Sequence, residues 1–292
     1  METKNSPLAI FLMLILALIW GTSFILMKKG LVVFSPGEVG ALRVTVAGFV
    51  LLPLAITRWK DLTPGHIPKL FMSGMIGIFI PAFLFTTAQR QISSSVSGIL
   101  NTLSPLWTMV MGAIFFQVVF KRGAVVGILI GLAGSILLMV SRSGGQFTGF
   151  NLYGLLIVLA CAFYGFNLNF IKFRIADLGS LTITSISVML IAPLGAIYLF
   201  GFTDFIEKLT TVPGAWKAFG FIALLGTMST AVAVSIFNKM VKMTTPLFAS
   251  SVTYLMPIVS VMWGVLDGEE LVLMHFIGMA AIFCGVYLTT RK

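Results

Sequence analysis

The sequence predicts an all-α membrane protein of ten transmembrane helices, arranged as two inverted five-helix repeats over residues 1–145 and 146–292. Three observations carry that prediction. Only 10% of the 292 residues are charged, whereas 58% are hydrophobic. The apolar residues gather into ten runs, each near the ~20 residues that a helix needs to cross a bilayer. The second half also repeats the proline and glycine landmarks of the first.

Soluble domains carry about 25% charged residues. A chain this poor in charge, with a mean hydropathy of +1.06, has lipid as its main solvent. The net charge of +10 does not indicate nucleic acid, because the 19 Lys and Arg form short clusters between apolar runs. Such clusters orient a membrane protein and touch anionic lipid. Cys161 and Cys284 each lie inside an apolar run, which speaks against a disulfide framework, and no Cys/His spacing suggests a metal.

The runs cover 8–27, 38–57, 68–88, 94–118, 123–140, 151–171, 181–201, 215–237, 245–266 and 273–290. The first follows Lys4 but lacks a small-x-small cleavage site, so it reads as a retained helix rather than a signal peptide. The others are continuously apolar, which favours helices over barrel strands that would alternate over ~10 residues. Connections are short, the longest falling around Arg58–His66 and Thr203–Pro213. With both termini in the cytoplasm, twelve Lys and Arg fall on the cytoplasmic side and six on the other, while Arg43 lies within the second run. The positive-inside rule therefore places both ends inside.

The segment Ser97–Gly112, with Pro105, corresponds to Ala249–Gly264, with Pro257, at an offset of 152. Gly74 and Gly226 share that offset. Gly127 and Gly134 match Gly278 and Gly285 at 151, and Pro53-Leu54 matches Pro193-Leu194 at 140. Runs one to five thus correspond to runs six to ten. Five is odd, so the second copy enters from the opposite side. Inverted repeats of this kind characterise secondary transporters, whose site lies near the midplane between the repeats.

With Ala17-Leu-Ile-Trp20-Gly21-Thr-Ser-Phe24, Arg43 within Ala41-Leu-Arg-Val-Thr, the Ser93–Leu106 stretch, its counterpart Thr245–Ile258 and the glycine-spaced fifth and tenth runs, the chain resembles the drug/metabolite transporter superfamily, in its EamA-type branch of ten-helix bacterial exporters. The resemblance implies a multi-pass inner-membrane protein with both ends cytoplasmic, a central cavity between the halves and export of amino acids or related metabolites. One departure is Cys161-Ala-Phe-Tyr164-Gly165, where many relatives carry a tryptophan.

The candidate substrate pathway comprises Trp20, Ser23, Arg43, Asn101, Ser104, Trp107, Thr108, Tyr164, Asn167, Thr253 and Ser260. Asn101, Ser104, Pro105 and Thr108 share one face of the fourth run, as Thr253, Met256, Pro257 and Ser260 do on the ninth. Polar groups in a lipid-solvated helix are expected to face protein or water. Pro105 and Pro257 are expected to bend their helices and free a carbonyl. The alternative is hydroxyls bonded to local carbonyls and prolines that only bend. Trp20 with Ser23 and Tyr164 with Asn167 sit at i, i+3 on equivalent helices, suited either to an amphiphilic substrate or to ordinary packing. For Arg43 three readings stand open: attraction of a substrate carboxylate, gating through Glu38, or snorkelling to the outer interface. Snorkelling is also expected of Lys28 and Arg90. Trp59 and Trp216 read as interface anchors, and the glycines of the fifth and tenth runs as sites of close packing.

No Asp or Glu lies in mid-span and no phosphate-binding loop occurs. These absences point to facilitated export without ATP hydrolysis or a carboxylate proton relay. The expected partners are a small-molecule substrate and membrane lipid, with no cofactor, metal or nucleic acid; monomer and dimer both stay open. The competing functions are a multidrug exporter of the same architecture and a membrane-embedded enzyme. The enzyme would need a nucleophile, acid/base or metal set that these hydroxyls and amides do not supply.

Overall fold

A computed structural model describes residues 7–118, 126, 127, 129–131, 133, 134, 136, 137, 151–244 and 246–290. Lys4, Lys121, Arg122, Arg142, Thr245, Arg291, Lys292 and much of the fifth run lie outside the described residues. Among those described there is no strand. The principal helices are α1 (Pro7–Gly30), α2 (Pro36–Arg58), α3 (His66–Ala88), α4 (Ser94–Phe116), α5 (Tyr153–Arg174), α6 (Ser180–Gly201), α7 (Ala215–Met243), α8 (Phe248–Leu266) and α9 (Leu273–Thr290). The first eight are long and apolar enough to cross a membrane. A short helix, Phe205–Thr211, occupies the connection before α7.

Local chemistry sets several boundaries. Ser35 and Glu38 form a capping box at the start of α2, with Pro36 in the first turn, where a missing N–H costs nothing. The Ser93 side chain accepts from the Val96 amide and opens α4. Gln117, with φ of 57°, closes α4 as its neighbour Val118 donates back to the Gly112 carbonyl. The eighth run extends past Phe237 to Met243, because its last turns present Asn238, Lys239 and Lys242 on a helix that is apolar on its other face.

Pro105 and Pro257 fall at interruptions of their spans. Each sits in the first turn of a new α-helical segment, after a 3-10 turn at Asn101–Leu103 or Ser251–Tyr254. The tighter winding falls where proline cannot donate to the carbonyl four residues back, and the two together interrupt each span. The third and seventh spans each contain a π-helical segment, Met75–Phe79 in α3 and Leu225–Val232 in α7.

The most extensive helix pairs are α2 with α6 and α4 with α5. Small residues permit the first. A Cβ on Gly48 would meet the Ala192 Cβ at 2.3 Å, and one on Gly195 would meet the Ala41 carbonyl oxygen at 3.1 Å. The glycines before the π segments make reciprocal contacts. A Cβ on Gly226 would lie 2.7 Å from the Arg43 carbonyl oxygen, and one on Gly74 would lie 2.7 Å from that of Ser187. Arg43 and Ser187, like Gly48 and Ala192, are 144 positions apart. These two pairs thus share an offset of 144, four residues from the 140 at which Pro53 and Pro193 align.

The described residues of the fifth run are helical and meet α9 through glycines. Gly134 abuts the Gly278 backbone, and Gly285 abuts Gly127 and Gly131. Close packing within the chain is thus what these glycines serve. Trp59 and Trp216 are exposed at helix ends, as interface anchors would be.

Candidate functional site: a cavity enclosed by eight helices

Helices α1 to α8 surround one cavity of about 1030 Å³, its mouth included. Its wall reaches the last turn of α5 at Ile171, the first turn of α6 at Ile183 and Thr184, and the first turn of α8 at Ser250. Most of the wall is apolar, with Phe24, Met27, Phe85, Phe237 and Met256 among its side chains.

The polar groups of the wall form separate clusters. Trp20 donates from Nε1 to the Ser229 carbonyl at 3.0 Å, and Ser23 shares a 2.6 Å hydrogen bond with the Ser229 hydroxyl. Ser73 donates to Asn167 Oδ1 at 2.8 Å, and Asn238 donates to Thr184 Oγ1 at 2.8 Å. Ser104 donates to the Asn101 carbonyl at 2.8 Å, as the 3-10 turn brings that carbonyl within its reach. Aromatic rings complete the wall: Trp20 meets Phe237 edge-on at 4.8 Å, and Tyr164 stacks on Phe85 at 6.1 Å.

Arg43 is the one charged side chain in this wall among the described residues. It lies two turns into α2 and donates from Nε to Thr230 Oγ1 at 2.8 Å, at the π segment of α7. Neither gating through Glu38 nor snorkelling describes it. Glu38 is held instead by Lys208 Nζ, at 3.0 and 2.8 Å from its two carboxylate oxygens, and by the Ser35 amide at 2.6 Å. The guanidinium is turned inward, toward the cavity.

At the other ends of these helices, a second cluster joins α1, α4 and the connection after α8. Lys28 pairs with Asp267 at 2.8 Å and Glu269 at 2.9 Å, and Lys29 pairs with Asp267. Glu269 also accepts from the amides of Ser94 and Ser95, each at 3.0 Å, and from their hydroxyls, each at 2.6 Å. A carboxylate at the free amides of a helix start is doubly favoured, by hydrogen bonds and by the helix dipole. Burial opposes ionisation of Glu269, but Lys28, Ser94 and Ser95 outweigh it, and its carboxyl is held down at about 2. Hydrogen bonds from Lys28 and Lys29 also hold Asp267 below its ordinary range. The expected snorkelling of Lys28 is replaced by these ion pairs, since two carboxylates lie within its reach. At the opposite end, His66 Nε2 meets Asp177 Oδ2 at 2.7 Å, and Thr182 donates to Asp61 at 3.2 Å.

Of the candidates read from the sequence, Trp20, Ser23, Arg43, Asn101, Ser104, Tyr164, Asn167 and Thr253 line the cavity. Trp107, Thr108 and Ser260 do not. Gly165 brings α5 against the backbone of Trp107 and Thr108, which closes that face of α4. Thr108 donates to the Ser104 carbonyl and Ser260 to the Pro257 carbonyl, so their hydroxyls are satisfied on their own helices. Sequence reasoning missed Ser73, Thr184, Ser187 and Asn238 in the wall and their neighbours Ser229 and Thr230. All are polar residues inside or at the edge of apolar runs, which was the available signal.

A chain of membrane spans around a mostly apolar cavity with separate polar clusters is an integral multi-pass membrane protein. The sequence profile of the EamA-like transporter family matches residues 7–140 and again 151–291, and the chain belongs to that family. Its members are transporters rather than enzymes. An uncharacterized transporter of Archaeoglobus fulgidus is 26% identical over 94% of this chain and 95% of its own length. The uncharacterized inner membrane transporter YedA of Escherichia coli (strain K12) is also 26% identical, over 94% of this chain and 88% of its own. A probable amino-acid metabolite efflux pump of Salmonella typhimurium is 26% identical over 52% of this chain and 49% of its own. One crystal structure shares the fold, with a TM-score of 0.67 at 20% identity over 98% of this chain and 97% of that one.

Proposed function

We propose that this chain is a secondary transporter that exports a small amphiphilic metabolite, an amino acid or a related compound, by alternating access. The observation that carries the reading is a cavity with a mixed aromatic, hydroxyl and amide wall, to which helices from both halves of the chain contribute. The partial similarity to a probable amino-acid metabolite efflux pump supports the substrate class.

Two inverted five-helix repeats, 1–145 and 146–292, supply the moving parts in this reading. Support comes from the two family matches, from the interrupted α4 and α8, from the π segments in α3 and α7, and from the reciprocal contacts of Gly74 and Gly226. Ten spans with both termini cytoplasmic follow from that symmetry and the loop charges. The cavity reaches the helix ends assigned to the cytoplasm, whereas the Lys28–Asp267–Glu269–Ser94–Ser95 cluster closes the outer ends. The transport cycle then requires that cluster to open and the opposite ends to close. The wall carries a cation and, among the described residues, no carboxylate, which disfavours the cationic compounds expected of a broad drug exporter.

The test is export from bacterial cells challenged with toxic amino-acid analogues and, separately, with cationic drugs. Expression of the chain is expected to protect against the analogues. Trp20→Ala and Asn101→Ala, present in the membrane at normal levels, are expected to lose that protection. Protection against the cations alone refutes the reading.

A further inference from the structure

The outer cluster has a counterpart, position by position, at the inner ends. Gln117 closes α4 and donates its backbone N–H to the Gly112 carbonyl, five residues back. Glu269 follows α8 and donates to the Gly264 carbonyl, also five back, at 2.9 Å. Both residues and both glycines are 152 apart. Lys172, in the last turn of α5, lies 144 after Lys28 in the last turn of α1, the offset that separates Gly48 from Ala192. Pro246, in the helical turn that opens α8, lies 152 after Ser94 at the start of α4. Phe116 stacks on Phe173 at 5.6 Å, which brings their chain neighbours Gln117 and Lys172 to one junction. The chemistry at these matched positions differs. A neutral, exposed Gln117 stands where Glu269 does. Pro246 supplies neither the amide hydrogen nor the hydroxyl that Ser94 gives to Glu269. Lys172 meets no carboxylate among the described residues, and its Nζ donates to the Thr244 carbonyl at 3.0 Å. The packing differs as well: Gly264 abuts Ser95 of α4, whereas Gly112 abuts Asn169 of α5.

We propose that Lys172, Gln117 and the start of α8 form the inner closure of the transport cycle, and that the missing carboxylate makes it the weaker of the two, so that the empty carrier rests with its cavity open at the Lys172 end. This rests on the alternating-access reading and adds which state the empty protein keeps. The two closures exclude each other, so the difference in their strength sets the resting population. The outer one has a carboxylate that accepts two amides and two hydroxyls and pairs with a lysine. The inner one has a lysine on a carbonyl. A substrate can therefore enter at the Lys172 end before the outer cluster opens, as export requires.

The experiment gives the inner end its carboxylate. Gln117→Glu is made in the full-length chain with Cys161 and Cys284 replaced by serine. Reporter cysteines are placed singly at Met27, near the outer end of the cavity wall, and at Phe237, half-buried in the wall toward the inner end of α7. A membrane-impermeant thiol reagent is added to intact cells and to inside-out vesicles. Gln117→Glu is expected to slow labelling at Phe237 from the Lys172 side about threefold, and to speed labelling at Met27 from the Glu269 side by a similar factor, the bias that a part-exposed ion pair gives. Adding Lys172→Gln is expected to cancel both changes. Unchanged rates in Gln117→Glu, changes of the opposite sense, or changes that survive Lys172→Gln overturn the proposal. Should Gln117→Glu fail to reach the membrane, Lys172→Gln alone carries the test. Slower labelling at Met27 supports the proposal, and an equal or faster rate overturns it. Export of toxic amino-acid analogues is measured separately. Labelling that moves as expected without export sinks the transport reading alone, and export with unmoved labelling sinks the inner closure alone.

Discussion

Replacing Glu269 by Gln tests the outer closure. The native carboxylate accepts two amides and two hydroxyls from Ser94 and Ser95 and pairs with Lys28. Glutamine keeps one acceptor oxygen and turns an NH₂ group toward donors, so half of the helix start loses its partner. Breaking a buried ion pair costs about 3–5 kcal/mol. The Glu269 side chain is 6% exposed but that of Lys28 is 35% exposed, so water recovers part of the loss. About 2 kcal/mol is then a reasonable net cost to the closed arrangement, or roughly a thirtyfold shift in the opening equilibrium at 1.36 kcal/mol per tenfold. The assay is labelling of a cysteine at Met27, which lines the cavity beside Lys28, by a membrane-impermeant thiol reagent added on the Glu269 side. The background replaces Cys161 and Cys284 by serine. Labelling of the glutamine variant is expected to be about thirtyfold faster than in the parent. Acid acts on the same contact. The carboxyl lies at about 2, below its ordinary 4.5, so its stabilisation is complete above pH 4.5 and is lost as the pH falls toward about 2. Relative to a free thiol labelled at the same pH, parent labelling is therefore expected to accelerate across that window, while the glutamine variant gains only what protonation of Asp267 contributes. A rate change under threefold at neutral pH, or equal acid acceleration in both proteins, refutes the assignment of this cluster as the closure.

Two further outcomes follow from packing and charge. Gly165→Ala puts a Cβ 2.5 Å from the Trp107 carbonyl carbon and 2.6 Å from the Thr108 nitrogen, backbone atoms that cannot swing away. A loss of about 1–3 kcal/mol is expected in thermal or denaturant unfolding, with the fold retained in the milder case. Asp177→Asn removes the charge paired with His66, whose hydrogen bond holds the Asp177 carboxyl below its ordinary range, but Asp177 is 63% exposed. The same unfolding measurement is expected to move by less than about 1 kcal/mol, as exposed ion pairs do.

The pathway candidates divide along a physical line. Periodicity places Asn101, Ser104 and Thr108 on one face of α4 without showing what packs on it. Gly165 decides that: α5 closes over Trp107 and Thr108, while Asn101 and Ser104 stay at the cavity. Ser23, Ser73 and Asn238 find their partners Ser229, Asn167 and Thr184 on other helices, at separations no local pattern encodes. For Arg43 the sequence weighs snorkelling evenly against a functional role, carboxylate attraction or gating through Glu38. These readings parted only when Lys208, from a distant connection, took Glu38 and Thr230 took one face of the guanidinium.

By itself the sequence determined the membrane setting, the bounds of most spans, the family and the expectation of repeats, because each follows from apolar run length, loop charge and matched Pro and Gly positions along the chain. Only the tertiary structure decided which polar groups share the cavity, that Arg43 turns inward and that Glu269 seals the start of α4. Those outcomes depend on which helices approach closely enough to remove one another's water, and that is set by contacts between residues far apart in the chain.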